Sequence, residues 1–394
     1  MSEAPPPPVP PGPTPPAGAE RWRKGDFADF GLWTFLDCAA QGPLPNVAAE
    51  AARAAVRQKQ LPFLIEDEDY FALPEAVRVL AARLMGCDAE DVAVTHSCTA
   101  GLALVAEGLD WRAGDEVLIP ETEFPANVYP WLHLRDRGVQ VRFVPPGDDL
   151  AAALRPRTRV VACGHVHYVT GARRALAPLA AACHAAGALL VVDATQSIGA
   201  VPLDVRADGP DLVAAAAYKW MLGPYGTGVA YVAPALRERL RVRGAGWMNF
   251  AGAHAFNELG RYDLTWRPGA RRFDAYEPAC FLNLYALRAS LEYVLALPGG
   301  PAAVLAHARA LFARLAGGLD PARYRMDGAL DAERGSTLVA VEPLDPARVP
   351  PLAAALRTAK VRVSVRANRL RVSPHLYNDD RDVDRLLDVL ARAG

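Results

Sequence analysis

Residues 189–219, LLVVDATQSIGAVPLDVRADGPDLVAAAAYK, decide the fold. The first apolar run, Leu189 to Val192, ends in Asp193; the second, Leu212 to Ala217, ends in Tyr218 and Lys219. Four to eight apolar residues bounded by turn signals form the pattern of a strand in a parallel sheet covered on both faces. Each strand therefore delivers one ionisable group at its C-terminal end, the edge at which open α/β sheets bind ligands. Lys219 also stands out by scarcity. Among 43 lysines and arginines only residues 24, 59, 219 and 360 are lysine, and only Lys219 is embedded in apolar sequence. A desolvated lysine, unlike an arginine, can lose its proton and become an amine nucleophile. A lysine that lays its stem along apolar surface and keeps its ammonium in water is the ordinary alternative. The residues that accompany Lys219 decide between the two.

Outward from this stretch, strand and helix signals alternate. Strands are expected at 92–95, 116–119, 140–144, 159–163 and 229–232, and helices at 46–60, 74–85 and 175–186, with a further helix opening at residues 97–99. Asn46 reads as an N-cap, Pro74 as a first-turn proline and Gly86 as the residue that ends its helix. This rhythm implies an α/β fold with a mostly parallel sheet and helices on both faces. Residues 1–19 are proline-rich and expected to be disordered. The large domain, with an N-terminal arm, is expected over 20–280. A smaller α+β domain is expected over 281–394, opening with a long helix and continuing with helices at 301–316, 346–358 and 379–392 and strands at 337–341, 361–365 and 370–372.

Composition narrows the function classes. At 394 residues and 52% apolar, the chain can bury one large core and a second, smaller one. A net charge of −1 gives no electrostatic case for nucleic acid or an anionic membrane. The six cysteines contain no CxxC pair, which fits free thiols in a reducing compartment, and the eight histidines show no metal-site spacing. His165 and His167 are read as structural or substrate-facing. No apolar segment approaches membrane-spanning length and the start carries no signal-peptide pattern, so the expectation is a cytoplasmic enzyme.

Three features converge. HisSerCysThrAlaGly, 96–101, sets Ser97, Cys98 and Thr99 at a helix start directly after a strand, where free N–H groups and the helix dipole favour a phosphate. Together with Asp193 and Lys219 this supplies what pyridoxal phosphate requires: an amine for its aldehyde, an acid to keep the pyridine nitrogen protonated, and an anion cup. Gly223, Gly226 and Gly228 form a GxxGxG, but they precede a strand rather than open a helix, so they read as a tight turn and not as a dinucleotide loop.

From about Phe35 onward the chain resembles the class V aminotransferase branch of fold-type I pyridoxal phosphate enzymes, which includes cysteine desulfurases, kynureninase and isopenicillin N epimerase-like proteins. ValValAspAlaThrGlnSer followed by TyrLysTrpMetLeuGlyPro carries the resemblance, with ArgValSerProHisLeuTyrAsn at 371–378 as a closing motif. The resemblance implies a homodimer with its active site at the interface and an amino acid or amine substrate. It makes Lys219 the cofactor-binding lysine and proton carrier, Asp193 the partner of the ring nitrogen, and Gln196 a donor to the ring oxygen. Cys98 and Thr99 match the family's two phosphate-cup positions beside Ser97, Tyr218 becomes a further phosphate ligand, Phe124 the ring that stacks on the cofactor, and Arg371 the clamp for the substrate α-carboxylate.

The departures bear on the reaction. Cysteine desulfurases carry a nucleophilic cysteine shortly before the carboxylate arginine, and this chain has no cysteine after Cys280. A usual serine is Ala216, a usual asparagine is Tyr168, and a usual Gly-Thr is Tyr276-Glu277. Glu277 is accordingly expected to face the substrate or Arg271 or Arg272. The parts in sight suffice for transamination. A carbon–sulfur or other β-elimination, then epimerisation, are the alternatives, and a catalytically inactive binding protein is the non-enzyme reading.

Overall fold

The computed structural model describes residues 23–326 and 331–393, so the proline-rich stretch 1–19 lies outside the described residues. Seven strands build the large sheet in the spatial order Val92–Thr95, Gly228–Val232, Leu212–Ala216, Leu189–Asp193, Thr158–Gly164, Glu116–Pro120 and Gln140–Val144. Only Gly228–Val232 pairs antiparallel to its neighbours. The other six therefore point the same way, and Thr95, Pro120, Gly164, Asp193 and Ala216 end on one edge.

The continuous apolar runs follow from burial on two faces. Leu190, Val192, Val213 and Ala215 enter one core, while Leu189, Val191, Leu212 and Ala214 enter the other. The alanines serve a second purpose. A Cβ on Gly101 would lie 2.7 Å from the Cβ of Ala214, so the helix Cys98–Gly108 rests on the sheet at a distance that only small residues permit. That contact sets where the helix N-terminus points.

The strand before this helix is anchored by charge. Arg78 and Asp274 are fully buried and joined by two hydrogen bonds of 2.7 and 3.1 Å, and Asp274 also accepts the Val94 N–H at 2.8 Å. Arg78 stands on the helix Asp69–Met85, which begins five residues before the expected start and carries Pro74 inside it. The N-cap of the helix Asn46–Gln60 is Pro45; Asn46 uses its side-chain amide on the Gly25 carbonyl.

A second core gathers Leu36, Ala308, Leu311, Phe312, Leu315, Val339, Val341 and Leu370. It lies against a four-stranded antiparallel sheet ordered Ser364–Arg366, Arg369–Val372, Val339–Pro343 and Tyr324–Met326. The single strand expected over 361–365 is two: Val361–Arg362 pairs parallel with Thr34–Phe35, and Ser364–Arg366 joins the small sheet. The helix Phe281–Ala296 was expected to open the small domain. Instead it buries Leu284, Leu287, Leu291 and Val294 in the large core, and the next helix, Gly300–Gly318, bridges the two cores. No single helix among the described residues is long and apolar enough to cross a membrane; these two pass jointly on length and composition but are bent by 73°.

Candidate active site

The shared strand edge holds a cavity of about 170 Å³ lined by Ser97, Cys98, Thr99, Phe124, Asp193, Gln196, Tyr218 and Lys219, together with Glu123 and Thr195. It opens beside a second cavity of about 450 Å³ that shares Phe124, Tyr168, Gln196, Tyr218 and Lys219 with it and reaches Arg371. All nine residues singled out from the sequence thus converge on one space, drawn from both domains.

Lys219 follows the strand Leu212–Ala216 and is 7% exposed. The turn that carries it is fixed by close backbone packing. Gly42 donates to the Tyr218 carbonyl at 2.9 Å, and a Cβ there would sit 1.9 Å from the Lys219 carbonyl oxygen. Burial lowers the Lys219 cation to about 8; the Arg371 charge adds to the fall and Asp193 opposes it. Among the described residues Nζ has no ion-pair partner and lies over the rings of Phe124, at 5.3 Å, and Tyr218, at 5.7 Å. The other lysines differ: Lys24 pairs with Asp379 at 2.8 Å, Lys360 lies over Trp33, and Lys59 is exposed.

Around this amine the donors are ordered. Asp193 ends its strand 9% exposed, and its Oδ1 accepts the Thr195 N–H at 2.8 Å. Gln196 is locked at both ends: Oε1 accepts from Trp220 Nε1 at 2.8 Å and Nε2 donates to Ala39 O at 3.0 Å. One amide proton remains for a ligand. At the helix start Ser97 Oγ caps the Ala100 N–H at 3.1 Å. The first helical N–H groups, of Cys98 and Thr99, are left without intrahelical partners. The Cys98 side chain turns to the sheet, with Sγ 3.5 Å from Ala214 O, and burial drives its thiol pKa well up, so only its backbone N–H is offered to the cup. Thr195 Oγ1 accepts the Ala216 N–H at 3.2 Å.

Arg371 is 2% exposed. Nη1 donates to Tyr168 O at 2.9 Å, and Nη2 faces Asp37 Oδ1 and Ser364 Oγ, both at 3.4 Å. Among the described residues its Nε has no partner. A buried guanidinium with an orphan donor beside a cavity is ready for a carboxylate. Asp37 was not foreseen: 334 residues separate it from Arg371, and no local signal links them. Glu123 was also missed, although it directly precedes Phe124. Its Oε1 accepts the Gly164 N–H at 2.8 Å, and burial pushes its pKa up to about 7, with Asp193 adding to the rise.

Other expectations fall away from the site. Arg271 is taken by Glu75 and Arg272 by Glu238 at 3.2 Å, so neither serves Glu277, which is exposed. His165 lines neither cavity and is held neutral, its pKa lowered by burial to about 4; His167 is engaged by Thr122 and Thr170. Gly223, Gly226 and Gly228 form the close turn expected: a Cβ on Gly228 would lie 2.7 Å from Ala215 O. Among the described residues no group of three His, Cys, Asp or Glu could hold a metal ion.

The architecture and site are those of a fold-type I pyridoxal phosphate-dependent enzyme. The chain belongs to the class-V aminotransferase family, whose model matches residues 67–386. A probable cysteine desulfurase of Pseudomonas putida is 31% identical over 393 residues, covering 91% of this chain and 92% of its own. Isopenicillin N epimerase of Streptomyces clavuligerus is 28% identical, with 90% and 93% covered. Among solved structures, the cystine C–S lyase C-DES in complex with its reaction product cysteine persulfide has a TM-score of 0.82 at 25% identity, over 91% of this chain and 97% of that one.

The residues present fit the cofactor. An amine without a counter-ion, a buried carboxylate and an open helix N-terminus border one cavity, and an aromatic ring stands at its mouth, with Phe124 38% exposed.

Proposed function

We propose that the enzyme is an aminotransferase working at the α-carbon of an amino acid. The observation that carries this reading is Lys219, a buried amine without an ion pair, placed between Asp193 and Arg371 and lowered to about 8. When bound, the cofactor supplies an electron sink that acidifies the α-C–H bond of the attached amino acid. Arg371 holds the α-carboxylate, and Asp37 and the Tyr168 carbonyl aim the guanidinium. Lys219 Nζ would carry the substrate α-proton, and with the cofactor's chemistry supplied this proton shuttling would amount to transamination. Asp193 would hold the proton of the ring nitrogen, Gln196 would offer its spare amide proton to the ring oxygen, and Phe124 would cover the ring. The N–H groups at 98 and 99, with Ser97, Thr99 and Tyr218, hold the phosphate.

The same proposal excludes a persulfide on the protein. Cys38 and Cys98 are fully buried with thiol pKa values pushed up, burial holds Cys87, Cys163 and Cys183 at about 12, and exposed Cys280 lines neither cavity. A thiol at such values carries almost no thiolate at neutral pH. Likeness to a cystine C–S lyase favours a second reading, cleavage of a carbon–sulfur bond by β-elimination. We further propose a cytoplasmic homodimer, supported by the absence of disulfides among the described residues and by exposed Tyr262, Leu264 and Tyr276.

Single turnover with a panel of amino acids tests the reaction. Loss of the cofactor's aldehyde absorbance with one equivalent of keto acid formed supports transamination. Catalytic pyruvate and ammonia from cysteine or cystine overturns it in favour of the lyase.

A further inference from the structure

The second cavity carries more positive charge than an α-carboxylate needs. Its charged lining residues are Lys219, Arg357, Arg362, Arg366 and Arg371, and among the described residues no aspartate or glutamate lines it. Behind this wall Asp37, 1% exposed, faces Arg371 Nη2 at 3.4 Å and Arg362 Nε at 3.6 Å. One carboxylate thus stands against two guanidiniums, while Arg357 and Arg366 have no acidic partner among the described residues.

Arg366 is held there at a cost. Ala367 and Asn368 form a two-residue turn with φ of 46° and 57°, both left-handed. Asparagine tolerates this region, whereas for alanine it costs about 1–2 kcal/mol. The turn places Arg366 directly opposite Arg369, a like-charge pair across strands, which is destabilising. Arg369 is compensated by Glu342 at 3.2 Å; Arg366 has only the neighbouring Val365 carbonyl. Arg366 thus stands exposed on a strained turn, opposite another arginine and without an acidic partner among the described residues. Cross-strand pairing also puts Ser364 opposite Arg371, so Arg366 and Arg371 rise from the same face of this hairpin, one toward the mouth and one at the floor. The Arg366 charge reaches the reacting groups as well, since it depresses both Lys219 and Arg371 after burial has done most of that work.

We propose that the substrate is an acidic amino acid, whose second, side-chain anion is bound by Arg366 with Arg357 and Arg362 while Arg371 takes the α-carboxylate. The inference rests on the reading that amino acids bind between Lys219 and Arg371. It makes Arg366 a specificity-determining residue, able to take a carboxylate or an equivalent sulfonate in two-pronged fashion.

The test titrates the holoenzyme with L-glutamate against L-glutamine, L-aspartate against L-asparagine, L-cysteate against L-serine, and L-alanine as reference, reading the change in the bound cofactor's visible absorbance. A charge-assisted contact corresponds to on the order of 10- to 100-fold in affinity. At least one acid should half-saturate at a concentration lower than its neutral counterpart by that factor, and in Arg366→Gln this ratio should fall to within about threefold of unity. A ratio taken within one variant is unaffected by the fraction of active protein. Equal responses to acid and neutral partner, or a ratio unchanged in Arg366→Gln, overturn the inference while leaving the site reading intact. A holoenzyme that answers to no amino acid, alanine included, overturns both.

Discussion

Lys219 should capture its cofactor at neutral pH because burial has stripped its amine of most of its protonation advantage. A lysine with the ordinary value of 10.5 is neutral in about one molecule in 3,000 at pH 7, whereas one lowered to about 8 is neutral in about one in eleven, a gain of about 300-fold in nucleophile. The sign follows from the cause: the folded protein disfavours the cation, so Lys219 titrates before an exposed lysine as pH rises. Mixing the cofactor-free protein with pyridoxal phosphate between pH 7 and 10, and following visible absorbance by stopped flow, reads this directly. The capture rate should rise about fivefold from pH 7 to 8, about twofold more by pH 9, and then level off. Glu123, raised to about 7, titrates at the lower end of the window, so the same profile in Glu123→Gln isolates the lysine. A rate still climbing about eightfold between pH 9 and 10 would refute the reasoning, because it would show Lys219 solvated and unshifted.

Other expectations follow from neighbouring contacts. Asp37→Asn keeps the shape but removes the counter-charge from Arg371 Nη2; substrate half-saturation should rise by about tenfold, with a smaller change in turnover, in steady-state kinetics. Arg78→Ala leaves Asp274 buried without its partner and should destabilise the fold by about 3–5 kcal/mol in urea unfolding, releasing the strand that leads into the phosphate turn. For Glu123 the folded carboxyl binds its proton more tightly than the unfolded one. Glu123 therefore contributes stability that is lost as pH rises from 4.5 to 7, opposite in sign to the buried histidines, and in thermal scans of cofactor-free protein the stability difference between wild type and Glu123→Gln should shift against wild type across that window.

Much of the fold was legible because the decisive elements are local. A strand buried on both faces must be apolar throughout, and 189–193 and 212–217 announce themselves that way. The site residues at strand ends were legible for the same reason: Asp193, Lys219 and the Ser97–Thr99 turn sit where the period of the sequence breaks. Which core a helix joins was not legible, because packing, not periodicity, decides it. The helix Phe281–Ala296 looks like any long apolar helix, and only tertiary contact assigns Leu284 and Leu287 to the large core. Asp37 and Glu123 were hidden differently: each is an ordinary acid locally, and each gains its meaning from a partner remote in sequence, Arg371 for one and the Gly164 N–H for the other. Of the two alternatives for Glu277, the pairing with a neighbouring arginine failed because Arg271 and Arg272 lie close in sequence but are claimed by Glu75 and Glu238.

The central claim is that one lysine of four holds the cofactor. Borohydride reduction of the purified holoenzyme would fix the cofactor wherever it is attached, and peptide mass mapping would locate it. The account predicts a reduced pyridoxyl group on Lys219 alone, absent from Lys219→Ala. Label on Lys24, Lys59 or Lys360, or a holoenzyme in which Lys219 stays unmodified, would contradict it.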